Sequence, residues 1–168
     1  MSWGQAVRAT RPKPLLTVTC GLPGSGKSTW ALQQVAQERL VYVVSADAIR
    51  EDGAEGSVVF DDMELSARRA LRNGLDVIVD ACALDPRTRN GWLRIAHELG
   101  AGSRLVVFAT PLAVCRARDA ARPLERRARV DWLDCERKLE RVFERVGLEL
   151  WDRVTVLSHV AEEARARG

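Results

Sequence analysis

The chain has 168 residues and a formal net charge of +3, with 46% hydrophobic and 29% charged residues. This length and balance are typical of a single soluble, globular domain with room for a core. The small net charge does not by itself indicate a nucleic-acid partner. No apolar run approaches the ~20 residues that span a bilayer, and no signal peptide is evident. We therefore expect a cytoplasmic protein without a membrane partner.

The cysteines and histidines do not form a metal-binding pattern. No two cysteines have the C-x-x-C spacing, and His97 and His159 are isolated in the sequence. We expect four reduced thiols that mostly pack in the interior. These are Cys20, Cys82, Cys115 and Cys135.

The first predicted strand follows a short tail. We interpret residues 1–14 as an N-terminal tail because Pro12 and Pro14 disfavour a helix, and residues 15–168 as one domain. Residues 15–20 are apolar and rich in β-forming residues, which predicts a strand.

Residues 21–29 (GLPGSGKST) directly follow this strand and match the phosphate-binding pattern G-x-x-x-x-G-K-[ST]. Glycines let consecutive backbone N–H groups turn inward around an anion, and the helix that begins here adds the positive end of its dipole. The ammonium of Lys27 can reach the β- and γ-phosphates, and the Ser28 hydroxyl can ligate Mg²⁺. The predicted cofactors are therefore ATP and Mg²⁺. The predicted nucleotide-binding residues are Gly21, Gly24, Ser25, Gly26, Lys27, Ser28 and Thr29.

A second apolar run at residues 41–44 predicts a strand, and Asp47 and Arg50 follow it. Phosphoryl transfer to a hydroxyl needs a carboxylate that orients the nucleophile and accepts its proton, a role that suits Asp47. Arg50 would share a face with Asp47 in a short helix and could bind an acceptor phosphate. An N-cap Asp followed by an exposed Arg explains the same residues equally well.

The third predicted strand ends on a carboxylate. Apolar residues at helical spacing predict a helix over residues 59–71, and a strand follows at residues 75–80. Asp80 thus lies at the tip of an apolar strand beside the phosphate loop, where a carboxylate can ligate Mg²⁺, often through water. Ser28 and Asp80 are the predicted metal ligands. The alternative for Asp80 is a helix cap or a loop carboxylate.

The next helix begins at Asp85 and Pro86, which have the residue types of an N-cap and a first helical position, and it ends at Gly100. A fourth strand is predicted at residues 105–109. Pro111 then begins another helix.

Residues 115–130 are rich in arginine and form the predicted lid. Arg118 and Arg122 are four residues apart and would share one helical face. Such arginines on a mobile element can neutralise charge on a transferring phosphate. The alternative is a solvated helix face.

A late amphipathic helix stops at Gly147, and a final strand is predicted at residues 153–157. The apolar stripe of this helix is Trp132, Cys135, Leu139, Val142, Phe143 and Val146. Alternating helices and apolar strands predict an α/β fold with a five-stranded parallel sheet and helices on both faces. Ligands of such sheets bind beyond the carboxyl ends of the strands, where the phosphate loop, Asp47 and Asp80 fall.

Over residues 15–157 the chain resembles P-loop kinases of the polynucleotide 5′-hydroxyl kinase type, most specifically at residues 20–31. The resemblance implies a P-loop NTPase fold of the nucleoside and polynucleotide kinase group with a helical lid. It also implies that Asp47 is the general base for the 5′-hydroxyl and that Arg50 contacts an acceptor phosphate. Between these two residues the chain carries small or apolar side chains, where some family members have polar and aromatic acceptor contacts.

Two further stretches carry the resemblance. Asp80 with residues 84–89 is similar to the family's third strand and following helix start. Arg118 and Arg122 look like the pair of lid arginines that contacts the ATP phosphates. The catalytic residues implied are Lys27, Asp47, Arg118 and Arg122.

The leading interpretation is an ATP-dependent kinase that transfers the γ-phosphate to the 5′-hydroxyl of a DNA or RNA strand, so that a nucleic-acid end is the expected partner. The absence of an N-K-x-D guanine-reading motif favours ATP over GTP. A kinase of the same fold that acts on a nucleoside, sugar or antibiotic is the first alternative, because fold and loop do not fix the acceptor. A non-catalytic ATP-binding module is the second.

Overall fold

The computed structural model describes residues 12–37, 40–51 and 57–158. The strands are β1 (Leu15–Cys20), β2 (Val41–Ser45), β3 (Asp76–Asp80), β4 (Gly102–Ala109) and β5 (Arg153–Ser158). The helices are α1 (Lys27–Gln37), α2 (Ala46–Glu51), α3 (Ser57–Arg72), α4 (Pro86–Glu98), α5 (Leu112–Ala120) and α6 (Trp132–Arg145). Short 3₁₀ turns lie at Leu124–Arg126 and Val146–Leu148. No helix in these ranges is long and apolar enough to cross a membrane.

The strands form one five-stranded sheet in the order β2-β3-β1-β4-β5, and every pair is parallel. Val18 at the centre of β1 lies opposite Val79 of β3 on one side and Leu105 of β4 on the other. This arrangement confirms the predicted sheet. Because all strands run in one direction, the loops that follow β1, β2 and β3 share one edge of the sheet.

Helices cover both faces of the sheet, as predicted. The larger core cluster joins the sheet to α3, α4 and α6, with Met63 and Ala96 fully buried. The smaller cluster lies under α1, where Trp30 meets Phe108 edge-to-face with ring centroids 6.0 Å apart. Parallel strands with apolar residues on both faces need helices on both sides of the sheet.

The four cysteines are free. Cys20 and Cys115 are buried, while Cys82 and Cys135 are partly buried against the larger core cluster. The Cys20 thiol donates to the carbonyl of Ala83 at 3.4 Å, and burial raises the pKa of this thiol to about 12. These cysteines therefore act as small packing residues, as the sequence predicted.

One predicted core residue is at the surface. Leu139 and Val142 of α6 are buried, but Phe143 is 43% exposed. At 100° per residue, position 143 falls at the margin of the stripe that Leu139 and Val142 define, so its ring faces partly to solvent.

Candidate active site

The phosphate loop between β1 and α1 depends on two glycines with positive φ. Gly24 has φ = 76° and Gly26 has φ = 103°, a region that other residues rarely adopt. A Cβ atom added at Gly24 would lie 2.6 Å from the backbone carbonyl oxygen of Cys115 in α5. Glycine at position 24 therefore sets both the curl of the loop and the close approach of α5.

Buried hydrogen bonds hold this loop in place. The N–H of Gly21 donates to the carbonyl of Cys82 at 2.9 Å, and the N–H of Ser25 donates to the carbonyl of Leu22 at 3.1 Å. The hydroxyl of Thr110, which is only 2% exposed, donates to the Ser25 carbonyl at 2.9 Å. The loop is thus anchored to the segment after β3 and to the end of β4.

Lys27 lies inside the loop, and the residue is 7% exposed. Its ammonium donates to the carbonyls of Leu22 at 2.7 Å and Gly21 at 3.2 Å, and to the hydroxyl of Ser25 at 3.3 Å. These contacts hold a positive charge at the loop, where the β- and γ-phosphates of a nucleotide would lie.

Asp80 lies at the centre of the predicted chemistry. Burial raises the pKa of Asp80, while a hydrogen bond with Ser28 and the charge of Lys27 lower it, and the Asp47 carboxylate raises it further. These four residues come from three different segments: the loop and helix start after β1, the start of α2 after β2, and the end of β3. The parallel strand order β2-β3-β1 brings these segments to one edge of the sheet. The sequence placed each of them at this edge.

Ser28 and Asp80 suit Mg²⁺ because both offer oxygen donors, which this small cation prefers. Ser28 lies in the first turn of α1, directly after the loop, and Asp80 ends the neighbouring strand β3, so both oxygen donors lie at the same edge of the sheet. Ser28 and Asp80 would hold a magnesium ion there, and the ion would supply positive charge that neutralises nucleotide phosphates.

Asp47 lies in the first turn of α2, directly after β2, and its side chain is exposed. The N-cap contact of this helix comes from Ser45, whose hydroxyl accepts from the N–H of Ala48 at 3.5 Å. Capping by Ser45 weakens the alternative role of Asp47 as an N-cap. Arg50 belongs to the same helix, but its side chain lies outside the described part of the chain.

The two lid arginines do not share a helical face, because α5 ends at Ala120. Arg118 is in the last turn of α5 and donates to the carbonyl of Gly24 at 3.3 Å. Arg122 lies beyond the helix, with its guanidinium 3.4 Å from the carboxylate of Asp119. Arg118 therefore touches the phosphate loop in this structure, whereas Arg122 is held by its own segment.

A buried ion pair between Arg89 and Glu149, which was not predicted from the sequence, supports the phosphate loop. Arg89 of α4 is 2% exposed, and its Nη1 donates to the carbonyls of Ala83 at 2.9 Å and Leu84 at 3.0 Å. Its Nε and Nη2 donate to the carboxylate of Glu149 at 2.6–3.1 Å. This pair fixes the segment whose Cys82 carbonyl receives the N–H of Gly21. The sequence did contain a signal for this buried arginine: Arg89 shares one helical face with the apolar residues Trp92, Leu93 and Ala96.

Known proteins have similar sequences and similar folds. The sequence profile of the AAA domain family matches residues 16–144. The chain belongs to this family. No curated protein sequence matches the chain significantly.

Two solved structures with similar folds are of Pnkp1/Rnl/Hen1 complexes. The first, described as an RNA repair complex, is 23% identical with a TM-score of 0.68 over 86% of this chain and 49% of that chain. The second is 25% identical with a TM-score of 0.60 over 70% of this chain and 42% of that chain. This member of the AAA domain family therefore spans less than half the length of these two relatives.

A third similar structure is the Mycobacterium tuberculosis APS kinase CysC in complex with AMPPNP and APS. It is 17% identical to this AAA-domain chain, with a TM-score of 0.56 over 93% of this chain and 96% of that chain. At such identity the likeness shows the fold alone, which is that of P-loop kinases. An APS kinase and a component of an RNA repair complex thus share the architecture of this chain.

Proposed function

We propose that this protein is an Mg²⁺-ATP-dependent kinase that phosphorylates the 5′-hydroxyl of a DNA or RNA strand. The observation that carries the proposal is the convergence of Lys27, Ser28, Asp80 and Asp47 at one edge of the sheet, where β1, β2 and β3 end beside one another. Three of these side chains suit the donor nucleotide and its metal ion. The fourth, Asp47, is exposed beside them, where a hydroxyl from outside can approach.

The donor side of the proposed reaction uses the phosphate loop. Backbone N–H groups and Lys27 bind the β- and γ-phosphates, and Ser28 and Asp80 hold Mg²⁺. Arg118 donates a hydrogen bond to the Gly24 carbonyl of the loop, so a small rotation of its side chain would bring the guanidinium to a phosphate oxygen. Neutralising charge in this way lowers the barrier to transfer, because the γ-phosphoryl group carries charge on all its outer oxygens.

The acceptor side uses α2. Asp47 orients the 5′-hydroxyl and accepts its proton as the oxygen bonds to the γ-phosphorus, and the bond to ADP breaks. Asp47 lies at the surface, so a polymer end can reach it without entering a closed cavity. Arg50 contacts a phosphate of the acceptor strand in this proposal.

The similarity in fold to a chain of the Pnkp1/Rnl/Hen1 complexes supports a nucleic-acid acceptor. The solved structure at 23% identity is described as an RNA repair complex, and the structure at 25% identity has the same three components. The exposed arginines of the lid segment, Arg116, Arg126, Arg127 and Arg129, would add attraction to a phosphate backbone.

An acceptor panel tests the proposal. Purified protein with Mg²⁺-ATP is given 5′-hydroxyl DNA and RNA oligonucleotides, and in parallel nucleosides, sugars and an aminoglycoside. We expect transfer to an oligonucleotide, with KM for the oligonucleotide rising steeply with salt because cations compete for its phosphates. Transfer only to a small acceptor, with no salt dependence, would replace the proposal by a small-molecule kinase of the same fold.

A further inference from the structure

Asp119 is a charged residue in an unusual position. It is the second-last residue of α5, directly after Arg118, and it is 5% exposed. Both carboxylate oxygens accept from the N–H of Ala128, at 3.0 and 3.2 Å. One oxygen also lies 3.4 Å from the guanidinium of Arg122. A buried carboxylate is retained only when such partners compensate its lost hydration.

These contacts close the lid segment into a loop. The contact between Asp119 and Ala128 joins residues nine positions apart, and the N–H of Arg122 donates to the Asp119 carbonyl at 3.0 Å. Within the loop, Arg127 Nε donates to the carbonyl of Arg122 at 3.0 Å. One carboxylate thus fixes both ends of the segment that carries Arg122.

We propose that Asp119 is the positioning residue of the lid. The hydrogen bond of the Asp119 carboxylate with the Ala128 N–H keeps the lid loop closed. Its ion pair with Arg122 keeps that guanidinium away from the phosphate loop until nucleotide phosphates compete for it. This inference rests on the proposed ATP-dependent transfer. It separates two roles of one carboxylate: an acceptor for a backbone N–H, which an amide oxygen can replace, and a negative charge, which an amide cannot replace.

Substitutions separate these roles. Asp119→Asn keeps an oxygen for Ala128 but removes the charge, so Arg122 is released without opening the loop. We expect Mg²⁺-AMPPNP to bind about two- to fivefold more tightly, the range set by a partly exposed ion pair. Asp119→Ala removes both contacts, so we expect trypsin to cleave within residues 122–129 about three- to tenfold faster than in Asp119→Asn, the range set by one backbone hydrogen bond.

A double-mutant cycle with Arg122→Ala gives the decisive measurement, with equilibrium binding of Mg²⁺-AMPPNP as the readout. In the Arg122→Ala protein, Asp119→Asn should no longer change affinity. Asp131→Asn serves as the matched control, because Asp131 also accepts backbone N–H groups, those of Leu133 and Asp134, at the start of α6. This control should leave AMPPNP affinity unchanged.

Two outcomes would overturn the inference. The first is that Asp119→Asn brings no gain in affinity, or brings a gain that persists without Arg122. The second is equal tryptic cleavage of the Asn and Ala variants. Because AMPPNP binding and tryptic cleavage need no acceptor, both readouts work even if oligonucleotides are not phosphorylated. Failure of this inference is therefore distinguishable from failure of the proposed function.

Discussion

At the scale of single residues, Gly24 sets how closely the lid approaches the phosphate loop. Gly24→Ala would place a methyl group 2.6 Å from the Cys115 carbonyl oxygen, at a φ of +76°. The left-handed backbone alone costs an L-residue about 1–2 kcal/mol, and the contact adds to this because α5 must move. We expect a lower free energy of unfolding and at least about a tenfold loss of Mg²⁺-ATP affinity if the loop also shifts.

Gly91→Ala is the matched control for this prediction. Gly91 lies inside α4, and an added Cβ would meet nothing within 4 Å. Alanine should therefore stabilise the protein by about 0.5–1 kcal/mol through helix propensity. Urea unfolding measures stability and equilibrium binding measures ATP affinity in both variants. Unchanged ATP affinity in Gly24→Ala would show that the close approach of α5 does not matter for the site.

Residues within one motif were predictable because their spacing carries the chemistry. Lys27 and Ser28 follow from the loop pattern alone, and Asp80 follows from its place at the end of an apolar strand. Thr110 was not predictable, because it anchors the loop across 85 positions and a lone Thr has no distinguishing pattern. Arg122 was wrongly predicted to share a helical face with Arg118, because α5 ends at Ala120, two residues before Arg122.

At the scale of elements, the ion pair between Arg89 and Glu149 ties α4 to the segment before β5. Glu149 also accepts from the indole N–H of Trp151 at 2.8 Å. Glu149→Ala would leave the buried guanidinium without its counter-charge, a change that costs about 3–5 kcal/mol in protein interiors. We expect a loss of this size in chemical denaturation. The phosphate loop should also loosen, because Arg89 supports the segment that holds it.

The control for Glu149→Ala is Glu98→Ala. Glu98 also pairs with an arginine, Arg68, at 2.7 Å, but its side chain is 45% exposed. Water and salt screen such a pair, so its loss should change stability far less. Equal effects of the two substitutions would mean that burial does not set the strength of the Arg89 pair.

Asp152 joins the entry of β5 to the start of β4. Its carboxylate accepts from the N–H of Ser103 at 2.8 Å and from the Ser103 hydroxyl at 3.1 Å. These hydrogen bonds lower the pKa of Asp152 below its ordinary value. The ionised carboxylate therefore stabilises the fold above the unfolded-state pKa of about 3.9, and this contribution is lost as the pH falls through the lower folded-state pKa.

The corresponding prediction compares the wild type with Asp152→Asn in urea unfolding at several pH values. The wild type should be the more stable protein between pH 5 and 7, and the difference should shrink below about pH 4 as the carboxylate is protonated. A difference that stays constant down to pH 3 would show that the charge of Asp152 does not contribute.

The start of β4, in the same region, is an element boundary that was not predicted correctly from the sequence. The sequence predicted a fourth strand from residue 105, but β4 begins at Gly102. Gly102 and Ser103 have weak strand propensity, and pairing with Leu15 and Leu16 of β1 draws them into the sheet. Strand β1, which is apolar throughout, was predicted with its observed bounds.

At the scale of the whole molecule, the strand order creates the site. With β1 beside β3 and β3 beside β2, the phosphate loop, Asp80 and Asp47 leave neighbouring strands at one edge of the sheet. The lid comes from the end of β4, on the other side of β1. The alternation of strands and helices predicted a parallel sheet, but pairwise order depends on contacts between distant segments that one sequence does not display.

In the proposed reaction, Asp47 acts as the base for transfer of phosphate from ATP to a 5′-hydroxyl end. The most direct measurement is the rate of γ-phosphate transfer to a 5′-hydroxyl oligonucleotide by the wild type, Asp47→Asn and the control Asp62→Asn, an exposed carboxylate on α3. We expect Asp47→Asn to lose about 10²–10⁴-fold in kcat with AMPPNP affinity kept, and Asp62→Asn to match the wild type. Wild-type transfer by Asp47→Asn, or loss of AMPPNP binding together with transfer, would contradict the assigned role.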